Sequence, residues 1–247
     1  MLSEKPWKEE SVLRLILVLL CCFVGVSMLA LVIGKLAGRP ATAEPRPLDL
    51  ALGAISMQSA ALIAVHFFLR EHGVGWSEFL GVSGRRMGRA LLSAIAVSLA
   101  SLPAALLWNL ASAWTMQLIH VEPEMQTSIK MVKASPGVGQ LSYLAVVTMV
   151  SAPFIEETIF RGVLYPAVKR LGYPKAALVG TSLAFAALHG NLMSFVPLAI
   201  LGIVWALLYE VTDTLLAPML AHSVFNAVNF LWVIYEVDPL RLFKFLQ

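Results

Sequence analysis

Six stretches of this chain, residues 15–34, 50–69, 90–121, 134–155, 176–209 and 214–235, contain no Asp, Glu, Lys or Arg. A helix crossing a hydrocarbon core of roughly 30 Å needs about 20 mostly apolar residues at 1.5 Å rise each, and each stretch is long enough. In lipid every backbone N–H and C=O must be paired internally, so these stretches predict an all-α fold, a polytopic transmembrane helical bundle. Composition agrees, with 59% hydrophobic and 13% charged residues, against about 45–50% and 25% in a soluble domain. The same figures exclude a disordered chain, a disulfide-stapled module and a zinc-finger array. The two cysteines, Cys21 and Cys22, are adjacent inside an apolar run and read as helix-face residues. The formal charge of +3 is modest and the 18 Lys and Arg sit mainly between the stretches, which is a topology signal and leaves no nucleic-acid partner to expect.

The stretch 176–209 is too long for one crossing, and its polar, flexible Gly190-Asn191 predicts a break there. That gives about seven spans, with eight as the upper reading. The stretch 90–121 is read as one tilted helix with a kink at Pro103. Lys and Arg counted over alternate loops number ten on the N-terminal side and seven opposite, which predicts a cytoplasmic N-terminus. The protein is therefore expected to be a multi-pass integral membrane protein, of the plasma (inner) membrane if the chain is bacterial. Arg85, Arg86 and Arg89 form a juxtamembrane cluster on the same side that suits anionic lipid. Met125, Ile129 and Val132 recur at helical spacing, and Leu240, Leu242, Phe243 and Phe245 crowd the end of the chain; both segments read as amphipathic and interfacial, in contact with the bilayer. Trp76, Tyr209, Trp232 and Tyr235 fall near predicted span ends as an aromatic belt, and His66, His72 and His120 read as solvated residues at helix ends. The organisation expected is three N-terminal helices in 1–140 that gate or wall a cavity, a helical core in 141–236 and an interfacial tail in 237–247.

An ionisable side chain at mid-membrane costs about 2.5–3.5 kcal/mol on insertion scales, so each one there needs a partner or a task. Glu156, Glu157, Arg161, His189 and His222 are such residues, and Asn226 lies one turn after His222. Glu157 and Arg161 stand at i,i+4 in the favourable order for an ion pair, which predicts a buried pair that pins the helix. Glu156 points about 100° away and is left without a local partner, as a general base would be. His222 and Asn226 share a helix face and can aim donors at one oxyanion. If the helix carrying Glu156 runs to about residue 170 and turns at Leu171-Gly172-Tyr173-Pro174, residues whose numbers average near 172.5 face each other. Glu156 and His189 do. Gly180 and Ala184, one turn apart, predict a close approach of that second helix to a neighbour. Phe185 reads as packing.

These residues resemble a family, the CAAX prenyl protease and bacteriocin-processing (CPBP, or ABI) family of intramembrane proteases. Its double glutamate, three residues and arginine are here Glu156-Glu157-Thr158-Ile159-Phe160-Arg161; its Phe-x-x-x-His is Phe185 to His189; its later histidine with an asparagine four residues on is His222 and Asn226. The resemblance covers roughly 141–230. It implies an intramembrane endopeptidase, in which Glu156 and His189 polarise a water, His222 and Asn226 hold the tetrahedral intermediate, and Glu157 and Arg161 support the site. Its substrate would be a membrane-embedded protein or peptide: a prenylated tail, an anchored signalling protein or a leader peptide. Glu156, His189 and His222 are also legitimate Zn²⁺ ligands, although no His-Glu-x-x-His helix occurs, so a divalent metal and a metal-independent glutamate mechanism both stay open, as does the oligomeric state. Two competing readings are a proton-coupled transporter that uses Glu156, His189 and His222 as a relay, and a non-catalytic immunity or scaffold protein of the same fold.

Overall fold

The structure is a computed structural model that describes residues 5–39, 47–82, 87–135 and 137–236. Every regular element among them is helical. In chain order these are α1 (Glu9–Leu36), α2 (Pro47–Glu71), α3 (Trp76–Leu80), α4 (Met87–Leu118), α5 (Thr127–Lys133), α6 (Val138–Val146), α7 (Ala152–Glu157), α8 (Tyr165–Arg170), α9 (Pro174–Leu188), α10 (Leu192–Thr212) and α11 (Leu216–Ile234). α6, α7 and α8 run on as one 33-residue helix, Val138–Arg170, joined through π-helical turns at Val147–Ser151 and Thr158–Leu164. Among the described residues, six helices are long and apolar enough to cross a membrane. The seventh expected span, α9, has 15 residues and reaches about 22 Å, short of a full crossing.

The described chain divides into two compact units, residues 6–76 and residues 77–236 with Lys5. In the first, Arg14 Nη2 holds Glu71 at 2.6 Å, and Ser11 Oγ donates to the same carboxylate at 2.8 Å. Arg39 pairs with Asp49. Leu17, Phe23 and Leu31 of α1 are exposed, as residues solvated by lipid would be. His72 follows the end of α2 as expected, half-buried and held at both nitrogens: its Nδ1 lies 2.7 Å from Phe68 O, and its Nε2 accepts from the Lys8 N–H at 3.1 Å. A carbonyl only accepts, so Nδ1 carries the proton.

In the second unit the turn at 171–173 forms as the sequence predicts, with Gly172 at φ +88°, a left-handed position open to glycine at no steric cost. The break between α9 and α10 falls at Gly190-Asn191, where Gly190 has φ +60° and Asn191 caps α10 by accepting from the Ser194 N–H. The core is aromatic. Phe185 is fully buried, with Phe160 and Trp205 edge-on at 5.3 and 5.8 Å between ring centres. The expected close approach at Gly180 and Ala184 is not made, because both face outward and nothing lies within 4 Å of a Cβ built on Gly180. Gly202 of α10 makes it instead: a Cβ there would meet the Ser182 Cβ at 2.9 Å. Tyr209 is not part of an aromatic belt either; it is buried at 2% exposure. At the same end of the unit Lys169 pairs with Glu210 at 2.5 Å, and Lys5 is buried near Glu78 and Asp213, burial lowering the pKa of its ammonium. α5 forms where the amphipathic spacing predicts, with Val132 buried and Met125 exposed ahead of it. Arg85, Arg86 and the tail 237–247 lie outside the described residues.

Candidate active site

The site sits where α7, α9 and α11 meet against α10. Glu156 and Glu157 are neighbours at the end of α7, just before the π-helical turn 158–164, and their side chains part as the sequence predicts. Glu157 is fully buried, whereas the Glu156 side chain is 30% exposed and lines a cavity of about 390 Å³. Arg161, itself 1% exposed, donates through Nη1 to Glu157 Oε1 at 2.9 Å and through Nη2 to Gly202 O at 2.8 Å, with its guanidinium 4.8 Å from the centre of the Phe185 ring. The predicted pair is real and reaches further than predicted, since it ties the 158–164 turn to α10.

His189 and His222 converge on Glu156. Their Nε2 atoms each lie 3.9 Å from Glu156 Oε2. The meeting of 156 with 189 across the 171–173 turn follows from equal rise along two antiparallel helices, and the structure shows it. Each imidazole is held by its other nitrogen: His189 Nδ1 is 2.8 Å from Phe185 O, and His222 Nδ1 is 3.0 Å from Glu157 Oε1. A carbonyl and a carboxylate only accept, so both Nδ1 atoms carry the proton and, in the neutral rings, both Nε2 atoms present lone pairs. Three acceptors thus face one point, and 3.9 Å is too long for a direct hydrogen bond. Glu156 Oε2 accordingly has no hydrogen-bond partner among the described residues.

Sequence reasoning had not placed Glu157 against His222. Nor had it found Trp205, whose indole lies nearly parallel on the His222 ring at 4.1 Å and 22°, and whose buried Nε1 has no partner among the described residues. A signal was available: Trp205 stands inside a span, away from the interfaces where tryptophan gathers. Asn226 lines the same cavity, but its Nδ2 donates to Thr148 O at 2.9 Å. One of its two N–H groups is therefore committed to the π-helical turn 147–151. That turn and the 158–164 turn bracket α7, as π-helical insertions often bracket functional residues.

The donor types of Glu156, His189 and His222 suit Zn²⁺. Ligands on a tetrahedral Zn²⁺ stand only about 3.3 Å apart, however, closer than the 3.9 Å found here. Among the described residues no group of three or more His, Cys, Asp or Glu is close enough to hold a metal ion. As placed, the three side chains do not form a metal cage.

The family model for type II CAAX prenyl endopeptidase Rce1-like proteins matches residues 139–228, a stretch that contains Glu156, Glu157, Arg161, His189, Trp205, His222 and Asn226. No curated protein and no solved structure matches the chain.

Proposed function

Over residues 139–228 this chain belongs to the CAAX protease (CPBP) family, and we propose that it is an intramembrane endopeptidase in which Glu156 is the general base that takes a proton from the attacking water. The observation that carries this reading is the convergence of His189 and His222 on Glu156, the carboxylate among the described residues that lines the cavity and whose Oε2 has no hydrogen-bond partner there. A water offers two O–H groups, and Glu156 with His189 Nε2 offers two acceptors for them. As its oxygen attacks the substrate carbonyl, Glu156 receives the proton and then passes it to the leaving amine nitrogen. The oxygen that becomes an oxyanion needs donors. His222 supplies one from the form that carries a proton on Nε2, in which Nδ1–H still donates to Glu157 and the ring stays stacked on Trp205. Asn226 keeps one N–H free of Thr148 for the same oxygen. Arg161 holds Glu157 and so acts at one remove.

A proton-coupled carrier is the second reading, since three titratable groups meet in a cavity. Transporters are commonly built from paired halves around interrupted helices, and no such internal symmetry is visible here. One experiment separates the two. Purified protein in detergent is incubated with a panel of membrane-protein and prenyl-peptide substrates, wild type beside Glu156→Gln, with and without chelator. The expected result is cleavage that Glu156→Gln abolishes with little change in thermal unfolding, because the neutral isostere removes the base and lowers the cost of burial. Cleavage retained in Glu156→Gln would sink the assignment, and loss with chelator would require a metal.

A further inference from the structure

The cavity at Glu156 does not end at the site. A second cavity of about 730 Å³ shares Ile129, Val132, Asn229 and Val233 with it as lining and continues to Lys133 and Glu236. Among the α11 residues that line this path, beside Phe225 and Phe230, are His222, Asn226, Asn229 and Val233, spaced at i, i+4, i+7 and i+11 on one helix face. α5 lines the path through Ile129 and Val132. Apart from Glu156 and the two histidines, no described residue lining the inner cavity is ionisable, so charged side chains would enter it at a cost.

Three asparagines line the inner cavity, and all three are oriented by backbone carbonyls. Asn226 Nδ2 donates to Thr148 O, Asn229 Nδ2 to Phe225 O at 2.8 Å, and Asn109 Nδ2 to Ala105 O at 2.9 Å. A carbonyl accepts only from the NH₂ end of an amide, so each Oδ1 is left as the unused acceptor. Acceptors along a passage whose described lining beyond the site is uncharged until Lys133 and Glu236 match the N–H groups of an extended polypeptide, which have no partner when the peptide leaves water.

Building on the endopeptidase reading, we infer that this passage binds the substrate as an extended segment of about five residues with uncharged side chains, running from Glu156 along α11 beneath α5, with Asn229 and Asn109 accepting from its backbone N–H groups. The length follows from the path: His222 to Val233 spans about 16 Å of helix, and an extended chain advances about 3.3 Å per residue. Neither asparagine reacts. Both position the substrate.

The test needs no known substrate. Glu156→Gln protein in lipid nanodiscs is irradiated with an acetylated, amidated Ala/Leu octapeptide carrying one photo-leucine, and the adducts are mapped by mass spectrometry. The expected adducts fall on Val132, Asn229 or Val233. The same octapeptide methylated at its backbone nitrogens should compete at least about 10-fold worse, and a tripeptide should compete poorly. Asn229→Leu in the Glu156→Gln background should weaken labelling about 3- to 10-fold, the value of one hydrogen bond; its amide bonds only its own helix, so the variant keeps its fold. Adducts confined to lipid-facing residues, or equal competition by the methylated peptide, would overturn the inference. Adducts in the passage without cleavage by wild type in any lane would sink the peptidase reading alone. Cleavage that depends on Glu156 beside equal competition by the methylated peptide would sink this inference alone.

Discussion

Glu157 shows how much one buried carboxylate has to satisfy. Its Oε1 receives Arg161 at 2.9 Å and His222 Nδ1 at 3.0 Å, while Arg161 also donates to Gly202 O. Removing the guanidinium leaves a fully buried carboxylate without its cation, with His222 Nδ1 as its remaining donor, and takes the side-chain donor from Gly202 O. Arg161→Ala should therefore cost about 3–5 kcal/mol of stability, seen as a lower unfolding midpoint in detergent. Arg161→Lys should recover only part of it, since an ammonium lacks the fork that reaches Glu157 and Gly202 together. Unchanged stability with lost activity would place Arg161 among the groups that touch substrate. At this scale the sequence was partly legible. An i,i+4 ion pair is local, and a hairpin puts 156 opposite 189 by arithmetic, so both could be read in advance. The contacts of His222 with Glu157 and Trp205 join α11 to α7 and α10, and their geometry depends on how those helices rotate about their axes. Hydropathy carries no information on that rotation, which is also why Gly180 and Ala184 proved to face outward and Gly202 took their expected part.

Among the elements, the long helix 138–170 depends on one glycine at a crossing. A Cβ on Gly162 would stand 2.4 Å from Phe79 Cζ, 2.9 Å from Phe79 Cε2 and 3.1 Å from Leu215 Cδ1. In a helix free of neighbours, Gly→Ala stabilises by about 1 kcal/mol. Here the added methyl forces the Phe79 ring of α3 aside, and overpacking of this kind costs about 1–3 kcal/mol. Gly162→Ala should thus lower the unfolding midpoint, while the same substitution made on Phe79→Ala should leave it unchanged or raise it. A loss of equal size in both backgrounds would mean that the clash is not with Phe79. The crossing also matters for chemistry, because Gly162 follows Arg161 within the 158–164 turn, and a shift there moves the guanidinium that holds Glu157. The sequence placed Gly162 beside the motif but gave no hint of its neighbour, since α3 lies over 80 positions earlier in the chain.

At the scale of the molecule, the crossings decide which side of the membrane the passage serves. The turn at 171–173 follows the long helix 138–170, and residues 119–137 precede it, so a crossing by that helix predicts the two on opposite sides. Asn191, at the far end of the short α9, donates to Glu124 O at 2.9 Å, which ties the break between α9 and α10 to the side of 119–137. The passage from Glu156 ends at Lys133 and Glu236, on that same side. By sequence, four candidate spans precede residues 171–173, so strict alternation predicts them on the side of the N-terminus, where ten Lys and Arg stand against seven opposite. The positive-inside rule then predicts a passage that opens away from the cytoplasm, so that a substrate of the proposed peptidase would reach Glu156 from the outer side. Cys21 and Cys22 are the chain's two cysteines; with both changed to Ser, single cysteines at Tyr173 and His120, each exposed, report the two sides. A membrane-impermeant maleimide should label His120→Cys on intact cells and Tyr173→Cys only after permeabilisation. The reverse pattern would turn the passage toward the cytoplasm, where the soluble tails of anchored proteins are found. Labelling of both from one side would mean that the helix 138–170 does not cross, and the argument from depth that joins Glu156 to His189 would lose its membrane frame.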